Sequence, residues 1–253
     1  MRRVFLRVSY DGTAYHGWQA LPNTVTVEGV LNDTLTKLTG SPVEVIGASR
    51  TDAGVHALGN VAVFDTDSTI PPERFSYALN TMLPDDISVV ESFEVPPDFH
   101  PRKTDTYKTY EYTILNTKFP LPARRNYTWH LKADLDIDKM RAAASLLIGP
   151  HDFKGFCSAK TQVENTVRII YSISVLKEGD EIKIRVKGNG FLYNMVRIIA
   201  GTLAAAGGAG KVTPEDIEKA LRTGDRSLVG KTAPPQGLCL VEIEYPELEY
   251  EEP

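Results

Sequence analysis

The chain has 253 residues, of which 42% are hydrophobic and 24% charged. That is enough to bury one large core or two smaller ones, and the balance excludes a disordered or fibrous protein. Its 28 basic and 33 acidic residues give a net charge of −5, which at first sight argues against a nucleic-acid partner.

The opening residues Met1 to Arg7 turn polar after three apolar positions and carry no small-residue cleavage site, so no signal peptide is expected. Arg3 to Tyr10 alternates, with Val4, Leu6 and Val8 opposed to Phe5, Arg7 and Ser9, and reads as a strand stopped by Asp11 and Gly12. Val27, Val30, Leu31, Thr34, Leu35 and Leu38 recur at helical spacing, with Gly40 as the stop. Val43 to Ile46 and Asn60 to Phe64 read as strands around a polar loop, Gly47 to Gly59. Pro72 opens a helix over Glu73 to Leu83, with Phe75, Ala78, Leu79 and Met82 on one face.

After a Pro-bearing stretch near Val95 to Pro101, Tyr107 to Leu115 is a strand and Ile137 to Ile148 a helix. Ile169 to Leu176 and Ile182 to Val186 form a hairpin around Gly179. A long helix follows from about Tyr193 to Ala206, and Thr213, Pro214 and Asp216 start another. Cys239 to Tyr245 alternates as a closing strand. Strand, helix and paired strands thus occur twice, which predicts an α+β fold of two halves, residues 1–104 and 105–253, with antiparallel sheets flanked by helices around a central cleft. Ile198 to Gly210 is too short and too Gly-rich to span a bilayer, which takes about 20 apolar residues. A cytoplasmic protein is expected. Cys157 and Cys239 lack metal or disulfide spacing, so no metal site is expected.

Chemistry concentrates in three places. The polar loop carries Ser49, Arg50, Thr51, Asp52, Ala53, Gly54, Val55 and His56; it is either a reactive cluster or a turn in which Arg50 pairs with Asp52 and Gly54 supplies a positive φ. Arg197 interrupts an apolar helix face; buried there it needs a carboxylate and further acceptors, and at the rim it can snorkel to water. Tyr110 and Tyr112 share one strand face, where two aromatics can stack on bases at about 1–3 kcal/mol each, or pack beneath a helix. Charge distribution revives a nucleic-acid partner. Six Glu and no Lys or Arg occur from Glu242 on, whereas Arg102 to Arg125 has six basic against two acidic residues and Lys154 to Arg197 eight against four. Such stripes can track a phosphate backbone. Neither Gly188-Asn189-Gly190 nor the Gly207 to Gly210 run completes a phosphate fingerprint, so no cofactor is expected.

Five segments together resemble the tRNA pseudouridine synthase A family, which modifies anticodon-arm uridines 38, 39 and 40. They are Tyr10 to Gln19, Arg50 to Ala57, Tyr110 to Tyr112, Asn194 to Arg197 and Gly237 to Leu240. Ser49 and Cys239 stand where the family more often has Gly and Tyr or Leu. The resemblance implies that Asp52 is the catalytic aspartate, Tyr110 the ring stacked on the target uracil, and Arg197 the arginine paired with the aspartate. It further implies that Arg50 takes part in base extrusion, and that Phe99, His100, Pro101, Arg102 and Lys103, together with Lys160, Thr161 and Gln162, contact RNA. The pseudouridine synthase fold with a basic cleft, a homodimer and a tRNA partner are implied too. Two alternatives stay open: a non-catalytic RNA-binding module built on the same aromatics and charge, and a small-molecule hydrolase using Asp52 as base.

Overall fold

The computed structural model describes residues 1–158, 163–208 and 210–248. In chain order the elements are β1 (Arg2–Tyr10), α1 (Val27–Thr39), β2 (Ile46–Gly47), β3 (His56–Thr66), α2 (Phe75–Asn80), β4 (Ile87–Val95), β5 (Tyr107–Leu115), β6 (Trp129–His130), α3 (Ile137–Ser145), β7 (Gly149–Asp152), β8 (Val167–Glu178), β9 (Glu181–Gly188), α4 (Met195–Gly207), α5 (Pro214–Thr223) and β10 (Leu238–Glu244). The fold is α+β, and it divides into two units. Met1–Thr106 and the stretch from Cys239 onward form one; Tyr107–Leu238 forms the other. No helix among the described residues is long and apolar enough to cross a membrane.

In the first unit β1 pairs antiparallel with β4 on one side and β3 on the other. Near its start β1 is buried on both faces: Val4, Phe5, Leu6 and Val8 are all inaccessible, and Phe5 stacks on Phe93 at 4.5 Å. Thr26 caps α1 by accepting from the Gly29 N–H at 3.2 Å, and Gly40 closes it with φ +72°. Val27, Leu31 and Leu35 are fully buried, each leucine contributing on the order of 2 kcal/mol. The helix opened by Pro72 is a short 3-10 turn followed by α2, and it ends at Asn80, not at Leu83. There Asn80 donates to the Val89 carbonyl at 2.9 Å and accepts from its N–H at 2.8 Å, which ties α2 to β4 and leaves Met82 outside the packed face.

The expected division is residues 1–104 and 105–253; in the structure the first unit runs to Thr106, and the closing strand belongs with it. β10 runs parallel to β3, with Cys239 opposite His56 and Leu240 opposite Ala57. Its continuation buries Tyr245 edge-on against Phe5 and Phe99, and the phenol donates to the Pro101 carbonyl at 2.8 Å. That cluster and the β3 pairing together hold β10 and Tyr245 to the N-terminal sheet.

In the second unit the strand order is β5-β9-β8-β7, antiparallel throughout, with β6 parallel to β5. The β8–β9 hairpin turns at Gly179 with φ +59°. Tyr112, Ile114, Ile182, Ile184 and Val186 are fully buried on one face, while α3 packs on β8 and α4, and α4 on β5. α3 stops at Ser145, so Leu147 is still buried but Ile148 is 43% exposed. Thr213 and Asp216 form a reciprocal capping box at the start of α5.

Candidate active site

Asp52 lies in the turn between β2 and β3, and its side chain is half-buried while that of Arg50 is exposed. The backbone around it is tied at nearly every position. The Ser49 carbonyl accepts from Asn60 Nδ2 at 3.0 Å, and Asn60 itself is inaccessible to solvent. The Thr51 hydroxyl shares a hydrogen bond of 2.7 Å with the Tyr10 phenol, and the Thr51 carbonyl accepts from the Trp18 N–H at 3.0 Å. The Asp52 carbonyl accepts from Val55 at 3.1 Å, and Gly54, at φ +77°, donates to the Tyr15 carbonyl at 3.3 Å. Tyr10 to Gln19 and Arg50 to Ala57, separate motifs in the sequence, are therefore one clamp in space.

The polar loop expected to reach Gly59 ends earlier, because β3 already begins at His56. His56 Nδ1 lies 3.1 Å from the Gly12 N–H and 3.1 Å from Asp11 Oδ1. Asp11 also accepts from the N–H and hydroxyl of Thr13, so this histidine locks the turn after β1 against the start of β3. Tyr15 is buried and donates to Asp86; burial first, then that carboxylate, push its phenol well above its ordinary range. A protonated Tyr15 is thus a fixed donor. The sequence signals this clamp only through the density of Gly and aromatic residues in Tyr10 to Gln19.

In the second unit the two tyrosines of β5 separate in role. Tyr112 is wholly buried, meets Trp129 edge-on at 6.2 Å and donates to the Pro234 carbonyl at 2.8 Å; burial pushes its phenol far up. It is a core residue. Tyr110 is 8% exposed and meets Phe191 edge to face at 5.2 Å. Arg197, in the first turn of α4, is half-buried, not snorkelling: Nε donates to the Ala233 carbonyl at 2.8 Å and Nη1 to Asn194 Oδ1 at 2.6 Å. Asn194 is the residue before α4, in a left-handed conformation at φ +63°, and its amide also donates to Ser158 Oγ at 2.8 Å. Asn194 therefore fixes the guanidinium plane, a role that its place in the Asn194 to Arg197 motif did not reveal.

Of the expected RNA contacts, Phe99 and Pro101 are buried anchors. The Phe99 ring packs on Tyr245 and Phe5, and its carbonyl accepts from Arg3 at 2.8 Å. They present Arg102 and Lys103, both exposed, and His100, which is half-buried. Burial, and then the charges of Lys103 and Arg102, hold the His100 imidazole below its ordinary pKa. Lys160, Thr161 and Gln162 lie outside the described residues.

The family described as tRNA pseudouridine synthase matches residues 7–102 and 143–246. The chain is 50% identical over 245 residues to the tRNA pseudouridine synthase A of Thermoanaerobacter sp. (strain X514), covering 97% of this chain and 100% of that one. It is 48% identical to the protein of the same name from Acetivibrio thermocellus and 47% identical to that from Geotalea uraniireducens (strain Rf4), with the same coverage of both chains.

Proposed function

Since this chain belongs to the tRNA pseudouridine synthase family, we infer that it isomerises uridine to pseudouridine in tRNA, at positions 38, 39 and 40 of the anticodon stem-loop, with Asp52 as the catalytic carboxylate. The observation that carries the residue assignment is the Asp52 turn itself: its backbone is bonded at Ser49, Thr51, Asp52 and Gly54, so the carboxylate is presented on a fixed frame. Fixed presentation is what a group acting at one sugar or base carbon requires.

In this reading the target uridine is flipped out of its stack, assisted by Arg50, and its uracil lies on Tyr110. The N1–C1′ bond breaks, the uracil turns, and a C5–C1′ bond forms. The C5 proton leaves and N1 gains one, so no atoms are added overall. Asp52 either bonds covalently to C1′ or C6, or removes a ribose proton to give a glycal; in each route it must be ionised at the start. The family likeness assigns Arg197, oriented by Asn194 and the Ala233 carbonyl, as the arginine paired with Asp52. Arg102 and Lys103, on their buried anchors, and the segment Lys160 to Gln162 contact the RNA backbone. A homodimer acting in the cytoplasm completes the proposal, on the strength of the family likeness.

The test is tritium release from unmodified tRNA labelled at uridine C5, comparing the wild type with Asp52→Asn, which keeps the shape and removes the charge. Release by the wild type alone, with tRNA binding retained by the variant, is the expected result. Normal turnover by Asp52→Asn would overturn the assignment, and binding without release by either protein would favour a non-catalytic RNA-binding module.

A further inference from the structure

Arg168 lies in β8 opposite His151 of β7 and shares the sheet face of Ile170, which is inaccessible to solvent. Its guanidinium is half-buried. Nη1 donates to the main-chain carbonyls of Asn165 at 3.0 Å and Val167 at 2.6 Å, and among the described residues neither Nε nor Nη2 meets an acceptor and no carboxylate pairs with it. Burial alone lowers its pKa, with no anion offsetting it.

Other arginines of the chain are spent differently. Arg3, Arg7, Arg141 and Arg185 each take a carboxylate. Arg226, also half-buried and without a carboxylate among the described residues, uses both terminal nitrogens internally, on the Val229 and Gly230 carbonyls and the Thr232 hydroxyl. Arg226 is a loop brace. Arg168 is held by one nitrogen only, which leaves the fork that best fits two oxygens of an anion.

Its location says which anion. Lys108 of β5, Gly188 of β9 and Ile170 of β8 form one row across the sheet. Phe191 lies over Gly188, its Cζ 3.1 Å from where a Cβ would stand, and the same ring meets Tyr110 edge to face. A Cβ on Gly190 would stand 3.7 Å from Arg168 Nε. The short connection Gly188 to Phe191 therefore reaches from the Tyr110 ring to the Arg168 guanidinium. From strand spacing and rise, their Cα atoms are roughly 16 Å apart, and two long side chains narrow the gap between ring and charge.

We propose that Arg168 is a phosphate-binding residue, whose Nε and Nη2 grip one RNA phosphodiester within a few nucleotides of the base carried on Tyr110. The proposal rests on the enzymatic reading above and deepens it: Tyr110 receives the base, while Arg168 fixes the backbone that leads to it. It is a positioning contact and takes no part in bond making.

The test uses the full chain with unmodified tRNA. Dissociation constants for wild type, Arg168→Met and Arg168→Lys are measured over a range of KCl concentrations, alongside tritium-release kinetics and melting temperatures. Loss of one charge-assisted contact predicts roughly tenfold weaker binding by Arg168→Met, expressed in KM. The slope of log affinity against log salt should fall by about 0.7–0.9, one phosphate's worth, and Arg168→Lys should restore most of it. A scan of single neutral methylphosphonates through the stem-loop should find one position that weakens the wild type but not Arg168→Met. An unchanged salt slope, whether or not the melting temperature falls, would overturn the proposal and leave Arg168 a structural brace. A wild type that neither binds nor isomerises tRNA would overturn the enzymatic reading itself, and the phosphate contact with it.

Discussion

Gly17→Ala tests whether the frame around Asp52 governs catalysis. Gly17 has φ +90°, and a Cβ there would lie 2.5 Å from the Thr51 carbonyl oxygen, against a floor of 3.0 Å for real contacts. Thr51 must retreat by at least half an ångström, and that carbonyl holds the Trp18 N–H at 3.0 Å while Trp18 is 1% exposed. Left-handed strain on alanine costs about 1 kcal/mol, and a buried N–H with a broken or stretched bond about 2 more. For a chain of this size, about 3 kcal/mol lowers Tm by roughly 6–12 °C. Moving Asp52 by about half an ångström should cut kcat about tenfold, given that misplacement by 1 Å costs about a hundredfold. Gly40→Ala is the control: φ is +72°, but nothing lies within 4 Å, so only about 1 kcal/mol of strain remains and kcat is unaffected. Thermal melts and single-turnover tritium release below both transitions decide the matter. Equal kcat for the two variants would refute the claim that Thr51 transmits position to Asp52.

Three further outcomes follow from the same geometry. Arg197→Lys cannot reproduce the fork that bonds Ala233 and Asn194, so single-turnover rates should fall about a hundredfold with tRNA affinity retained; wild-type rates would remove the oriented guanidinium from the mechanism. Tyr112→Phe leaves the Pro234 carbonyl without its donor, costing about 1–2 kcal/mol in denaturant melts with normal turnover, and a turnover defect would mean that Tyr112 takes part in the chemistry. Asp65 accepts a two-point hydrogen bond from Arg3 that, before charge attraction, holds its carboxyl below the usual range. Its contribution is therefore complete above the ordinary carboxylate pKa near 4 and is lost as pH falls through the depressed value. With Asp65 39% exposed, Asp65→Asn should cost only a few tenths of a kcal/mol at pH 7 and nothing near pH 2, and a gap that persisted in acid would refute this origin.

How much of this could be read in advance depended on whether local pattern and tertiary pairing agreed. β5, α1, α4 and the β8–β9 hairpin obey their own periodicities and lie where the spacing puts them. β4 does not. Arg7 pairs with Glu91 but Val8 with Val89, so Val90 is an extra residue, 55% exposed, and the buried face passes from Ile87 and Val89 to Ser92 instead of Glu91. A bulge in the middle of nine residues erases the alternation on which a strand is recognised. The closing strand is legible in its alternation but its neighbour is not, since its parallel pairing with β3 joins residues more than 180 positions apart.

The same distinction runs through the candidate site. Asp52, Arg197 and Tyr110 stood out because their side chains are chemically conspicuous in their local settings: a carboxylate in a dense polar turn, a cation on an apolar face, an aromatic pair on a strand. What orients them is mostly main chain. The carbonyls of Ser49, Thr51 and Asp52 hold one group, and the Ala233 carbonyl with the left-handed Asn194 holds another. Backbone carbonyls are the same for every residue type, so no letter in the sequence announces them. Asn194 carries about 1 kcal/mol of conformational strain, yet its amide bridges Ser158 and Arg197, and that fixed acceptor is what a glycine in its place would lack. Strain accepted for orientation is the expected mark of a group that must meet a reacting atom in one geometry. It gives Asn194 a physical reason to stand beside Arg197 that the motif alone did not supply.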